Sequence, residues 1–320
     1  MITKKAFAKI NISLSLGEKR ADGYHDIDTI MQTIALSDEI SVDLSNADEF
    51  TINGKYSELP LDENNIIKKT LTLFREYTGI EQNFKIRLTK NIPFGAGLAG
   101  GSSDAFTALR IFSQICEINF SKSDFLVLAE KLGSDVPFFF YGGTVRATGR
   151  GEILEVLPPL EHLHVLIVKP NFNISTAKAY SLWDEFKEAK IFSEQHTSTK
   201  LHNTSCCIDT KTNKKILNNT DFLNDKNKHY NNNYLKNEDE SLHLFHNDFE
   251  TVLFPVYPQL AEIKNNLMSC GASQALLTGS GSCVFGFFKQ KEKAQKVLSE
   301  KALLRLGDLI LTETNELDLK

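Results

Sequence analysis

Between Pro93 and Ala105 the chain reads PFGAGLAGGSSDA, four glycines and two serines joining a stretch of alternating pattern to one of helical pattern. Ahead of the run, Phe84, Ile86 and Leu88 alternate with polar residues, the period of a half-buried strand. Behind it, Ala105, Ala108, Leu109 and Phe112 recur at the spacing of one helix face. Ser102 or Ser103 is expected as the N-cap, with Asp104 in the first turn. Strand, glycine turn and helix in this order make a cradle for an anion. The unpaired N–H groups and the positive dipole end of the helix face whatever the small residues allow to approach.

Two nucleotide motifs share letters with this loop, and neither is complete. Gly95-x-Gly97-x-x-Gly100 has the spacing of the dinucleotide fingerprint, which also needs a second strand and an acidic residue about 20 positions on. Here the pattern after Cys116 is again helical, from about Ser123 to Leu132, with Gly133 as its stop. Gly95-x4-Gly100 has the spacing of a P-loop, but the slot for the P-loop lysine holds Gly101. The cation must come from elsewhere in the chain. A purely structural glycine turn is the plainer alternative. The helix directly behind the loop and its two hydroxyls favour a triphosphate, with Ser102 or Ser103 as a magnesium ligand. A side chain added at Gly100 is expected to keep the phosphates off the backbone.

The first strand is expected to carry an apolar face (Ala6, Ala8, Ile10, Ile12, Leu14, Leu16) and a polar one (Phe7, Lys9, Asn11, Ser13, Ser15). A turn at Asp22-Gly23 follows, then further strands, a helix from Ile66 closed by Gly79, and the strand before the loop. Farther on, HLHVLIVKP reads as a buried strand, FPVYPQLAEIKNNLMSCGA as a helix, and ALLTGSGSCVF as two strands around a glycine turn. A helix near Lys291 and a strand near Leu309 close the chain. The irregular order of strands and helices indicates α+β. With 320 residues the chain suits about two domains, divided at 1–160 and 161–320.

One stretch stands apart. Of the 41 residues from Lys200 to Glu240, 10 are Asn and 7 are Lys, with little periodicity, so an inserted, poorly ordered excursion without chemistry is expected at about 188–242. A net charge of −5 from mixed signs argues against a nucleic-acid partner. No apolar run approaches a membrane span, and five cysteines without framework spacing suit a reducing, cytoplasmic setting. No obligate protein partner is evident.

Taken singly, the polar candidates have plain readings. A strand lysine such as Lys9 is usually solvated. Asp135, after a helix-ending Gly133, is an ordinary turn residue. Tyr24 and His25 follow a turn, and ALLTGSGSCVF alone is a hairpin. Their joint order changes the reading. AKIN (Ala8 to Asn11), PFGAGLAGGSSD and LLTGSGSCVF resemble the three motifs of the GHMP small-molecule kinase superfamily. RADGYH, GSDVPFF, GRGEIL and HNDFE resemble its branch whose acceptor is the cytidine diphosphate ester of methylerythritol.

The resemblance implies a ribosomal-protein-S5-like N-terminal domain and a ferredoxin-like C-terminal domain with a cleft between them. It implies ATP as donor, with Mg²⁺, held by Pro93, Phe94, Gly95, Ala96, Gly97, Leu98, Ala99, Gly100, Gly101, Ser102 and Ser103, with Asn65 and Lys90 near the nucleotide. Lys9 becomes the missing cation and Asp135 the catalytic base. Asn11, Tyr24, His25, Thr176 and Tyr180 fall to the acceptor, Tyr24 and Tyr180 flanking the cytosine and His25 reading its edge. A homoserine or mevalonate kinase would share Lys9 and the loop without a reason for DGYH. A nicotinamide-dependent oxidoreductase lacks its second strand, and a non-catalytic relative would be expected to have lost Lys9 or Asp135.

Overall fold

A computed structural model describes residues 1–200 and 245–315. Most of the Asn- and Lys-rich stretch lies outside the described residues. Its first sheet is built on a long antiparallel pair, β1 (Ile2–Lys19) and β2 (His25–Ser45), in which Lys9 faces Thr33. The Asp22-Gly23 turn joins them: Gly23 has φ +85°, and Asp22 Oδ1 accepts from the Tyr24 N–H at 3.1 Å. β3 (Glu49–Asn53) runs parallel to β4 (Asn83–Thr89), which pairs antiparallel with β2. Helix α1 (Ile66–Thr78) links them, started by Asn65 and ended by Gly79 at φ +71°. The glycine loop leads from β4 into α2 (Gly100–Ile115). There follow α3 (Lys122–Leu132), opened by a Ser121/Asp124 capping box, the short α4 (Phe138–Tyr141), β5 (Thr144–Gly149) and β6 (Ile153–Val156).

The second sheet has the order β11-β7-β10-β9, formed by β7 (His164–Pro170), β9 (Gln274–Leu277), β10 (Val284–Phe288) and β11 (Gly307–Glu313), all neighbours antiparallel. Helices α5 (Thr176–Lys200), α6 (Phe249–Val256), α7 (Pro258–Ser269), α8 (Lys291–Val297) and α9 (Lys301–Leu304) connect and cover it. β8 (His246–Asn247) returns to the first sheet and pairs parallel with β1. One apolar cluster joins Ile10 and Ile12 of the first sheet to Val165, Ile167 and Phe285 of the second, so the sheets share a core. Among the described residues no helix is long and apolar enough to cross a membrane.

Three local expectations change. The face of β1 carrying Lys9, Asn11 and Ser13 is buried, at 3%, 3% and 6% exposure, because the cleft and the loop cover it. Helix α2 starts earlier than the serines suggest: Ala99, in the left-handed region at φ +52°, precedes it without a side-chain cap, and Asp104 lies past the first turn. The run from Phe254 to Ala272 is two helices, since Pro258 cannot continue α6 and instead opens α7 at a favoured proline position.

Candidate active site

The glycine loop is seated from below and from the side. Lys9 N–H donates to Leu98 O at 3.1 Å, which fixes the loop on β1. From the second sheet, Cys283 N–H donates to Ala96 O at 3.2 Å, and the Thr278 hydroxyl donates to Gly97 O at 3.1 Å. The second glycine turn is therefore more than a hairpin. It closes against the first, and Asn247 braces it by donating to Leu277 O and Gly279 O, both at 2.8 Å. Thr278 and Asn247 are functional supports that the sequence reading passed over, though both sit inside the quoted motifs.

Above the loop opens a cleft of about 1060 Å³. Residues 93–102 line it, and α2 points its N-terminal N–H groups, which lack helical partners, toward it. At its foot Lys9 Nζ donates to Asn11 Oδ1 at 2.8 Å and to Gly97 O at 3.1 Å, and it lies 3.4 Å from Asp135 Oδ2. The lysine side chain is 4% exposed and the aspartate 39%, so Asp135 is the member open to a ligand. Asn11 is also held, donating to the Thr29 hydroxyl at 2.8 Å.

Also lining the cleft, the His25 ring stacks on Tyr180 with centroids 5.0 Å apart, and its Nε2 lies 2.7 Å from Asp184 Oδ1. Burial works against the Asp184 charge. Hydrogen bonds from Lys19 and His25 outweigh it and hold the carboxyl below its ordinary range. Burial and the Asp135 carboxylate push the Tyr180 phenol up to about 12. Tyr24 stands 58% exposed at the mouth, with the Arg150 guanidinium 5.1 Å from its ring centre. Thr176 lines the cleft and pairs with the Ser280 hydroxyl at 3.1 Å. Asp184 was missed, as nothing in its local sequence marks it.

Not every expected residue lines the cleft. Lys90 and Asn65 do not present side chains to the cleft. Asn65 caps α1, accepting from the Ile67 N–H at 3.0 Å and donating to Pro60 O at 2.9 Å. Lys90 lies beneath the loop, bound to Asp38 and, at 2.5 Å, to Asp104 Oδ2. Burial opposes the Lys90 charge, but the two carboxylates hold the ammonium above its ordinary value. Burial also raises the Asp104 carboxyl well above the carboxylate range. Asp38 accepts from Lys90 and from the N–H groups of Asn91 (2.6 Å) and Ile92 (2.8 Å), whereas Asp104 Oδ1 has no partner. Ser103 is 1% exposed, which leaves Ser102 as the hydroxyl on the cleft. A Cβ on Gly100 would meet Ile92 Cγ2 at 2.8 Å, so this glycine is required by the packing beneath the loop and not by the phosphate side.

The models of the GHMP kinases N terminal domain and the GHMP kinases C terminal region match residues 65–143 and 235–300. The 4-diphosphocytidyl-2-C-methyl-D-erythritol kinase of Thermodesulfovibrio yellowstonii is 38% identical over 298 residues, 93% of each chain. The chain belongs to the 4-diphosphocytidyl-2-C-methyl-D-erythritol kinase family. The family member from Chlorobium phaeobacteroides is 36% identical over 92% of this chain and 91% of its own. Solved structures add the fold. A 4-(cytidine 5'-diphospho)-2C-methyl-D-erythritol kinase superposes with a TM-score of 0.71 at 24% identity, covering 98% of this chain and all of that one. A mevalonate kinase from L. major reaches 0.69 at 13% identity, over 98% and 96%. Fold similarity alone does not separate these kinases. The near full-length relatives of the 4-diphosphocytidyl-2-C-methyl-D-erythritol kinase family do.

Proposed function

We propose that the protein transfers the γ-phosphoryl group of ATP to the 2-hydroxyl of 4-diphosphocytidyl-2-C-methyl-D-erythritol, giving the 2-phosphate and ADP, in the non-mevalonate route to isoprenoid precursors. The observation that carries this reading is the Lys9–Asp135 pair at the foot of the glycine loop, with every Lys9 proton directed: to Asn11, to Gly97 and toward Asp135. Asp135 accepts the proton of the acceptor hydroxyl as it attacks phosphorus. Lys9 holds that carboxylate in place and offsets negative charge on the moving phosphoryl group. Backbone N–H groups at the start of α2 hold the phosphates of the donor.

Mg²⁺ fits the donors present, because the Ser102 hydroxyl on the cleft is a hard oxygen ligand beside the phosphate cradle. When bound it would neutralise phosphate charge. Asn11, Tyr24, His25, Thr176 and Tyr180 serve the acceptor. A division of the chain near residue 160 follows the two sheets, with β8 returning across it. A cytoplasmic setting agrees with the free thiols of Cys116, Cys270 and Cys283. An assay of ADP release with the cytidine diphosphate ester of methylerythritol tests the reading: ADP and phosphorylated acceptor should form in equal amounts. ADP alone would mean hydrolysis, and no ADP above background would remove the assignment.

A further inference from the structure

Far from the cleft, at the other end of β7, His162, His164 and Glu313 bring three metal-ligating side chains together. His164 opens β7 and faces Glu313, at the end of β11, in the antiparallel register. Glu313 Oε2 lies 3.3 Å from His162 Nε2 and 3.8 Å from His164 Nδ1, and the donor atoms of all three lie within 4.8 Å of one another. Ligands around a tetrahedral ion at about 2.0–2.2 Å stand roughly 3.3–3.6 Å apart, so small side-chain rotations suffice to close the set.

The backbone beneath is fixed. Leu163 N–H donates to the Thr314 hydroxyl at 3.0 Å, Thr314 N–H to Leu163 O at 2.9 Å, and Asn315 N–H to Thr33 O at 2.9 Å. The cluster thus sits where β7, β11 and β2 meet, about 20 Å along β7 from the residues that enter the cleft. As ion pairs alone, half-exposed groups of this kind contribute little. Two imidazoles with one carboxylate, leaving a position for water, are the donor set of a zinc site.

We propose that His162, His164 and Glu313 bind one Zn²⁺ ion and clamp the end of β11 to the start of β7, apart from the phosphoryl-transfer site. The test uses the full chain, stripped with a chelator and titrated with Zn²⁺, beside His162→Ala and Glu313→Gln. One zinc per chain is expected in the native protein, with affinity at least tenfold weaker in each variant. Cobalt in its place should show tetrahedral ligand-field absorption that both variants lose. Metal-free melting temperatures and phosphoryl transfer should match across the three proteins, which separates loss of the site from misfolding. Zinc held equally by the variants would place it on thiols such as Cys116 or Cys270 and overturn the proposal. So would the absence of stoichiometric binding.

Discussion

The Thr278 carbonyl oxygen lies 2.0 Å from where a Cβ on Gly97 would stand. The two glycine turns, one from each half of the chain, therefore touch through backbone alone. Gly97 also has φ +79°, which disfavours any L side chain by about 1–2 kcal/mol, and overpacking adds about 1–3 kcal/mol. Gly97→Ala is expected to push the turns apart, lowering the melting temperature and raising KM for ATP about tenfold or more. Thermal melts and ATP kinetics check it, and an unchanged KM would mean that the contact does not shape the phosphate cradle.

Asp135→Asn removes the proton acceptor and leaves the loop intact. General-base catalysis is worth about 10²- to 10⁴-fold, so kcat should fall by at least about a hundredfold while ATP affinity barely moves. Single-turnover rates together with nucleotide binding measure both. More than about a tenth of native kcat in the variant would assign the proton to another group.

The cluster beneath the loop makes a prediction about stability. Lys90→Met leaves Asp38 with a buried charge and no cation, a change that costs about 3–5 kcal/mol for a broken buried pair. Asp104→Asn should behave differently, because burial raises the Asp104 carboxyl well above the carboxylate range. An aspartate in the unfolded chain ionises near about pH 4. With its folded value raised well above that, the native state holds the proton longer, and native stability falls as pH rises from about 4 through the folded value. The variant has no such proton, so its stability relative to native should climb across this window and then level off. Denaturant titrations at several pH values test it, and a constant difference would place the proton elsewhere.

Much of this site could be read from sequence because its motifs combine backbone demands with chemistry. Gly95, Gly97, Gly279 and Gly281 all have positive φ, which leaves a signature in composition, and the alternation of β1 put Lys9 and Asn11 on one face. Partners joined only by the fold left no such trace. Lys90 pairs with Asp38 across 52 positions and His25 with Asp184 across 159, so the sequence around either residue does not show its partner. The helix start was misplaced for a related reason: α2 begins after a left-handed Ala99 with no side-chain cap, and no local pattern announces it.

The pairing of His25 with Asp184 bears on how the acceptor base is chosen. Asp184, whose carboxyl Lys19 and His25 hold below its ordinary range, is placed to accept the Nε2 proton, which in the neutral ring makes Nδ1 the acceptor. An acceptor there complements the exocyclic amine of cytosine and opposes the O4 carbonyl of uracil. Asp184→Asn frees the tautomer and should raise KM for the cytidyl substrate by about tenfold, the cost of a charge-assisted hydrogen bond, while narrowing the preference over the uridine analogue. Tyr24 acts separately. Arg150 covers one face of its ring and leaves the other for a base, so Tyr24→Ala should raise the same KM by about 5- to 150-fold, the worth of one stacked base. Neither change should shift KM for ATP by more than about twofold, since neither residue belongs to the glycine loop or to the start of α2. Steady-state kinetics varying each substrate in turn separates the two effects: loss of affinity with preference intact is the mark of stacking, and loss of preference the mark of the tautomer. A rise confined to ATP in either variant would put the cytidine pocket elsewhere in the cleft.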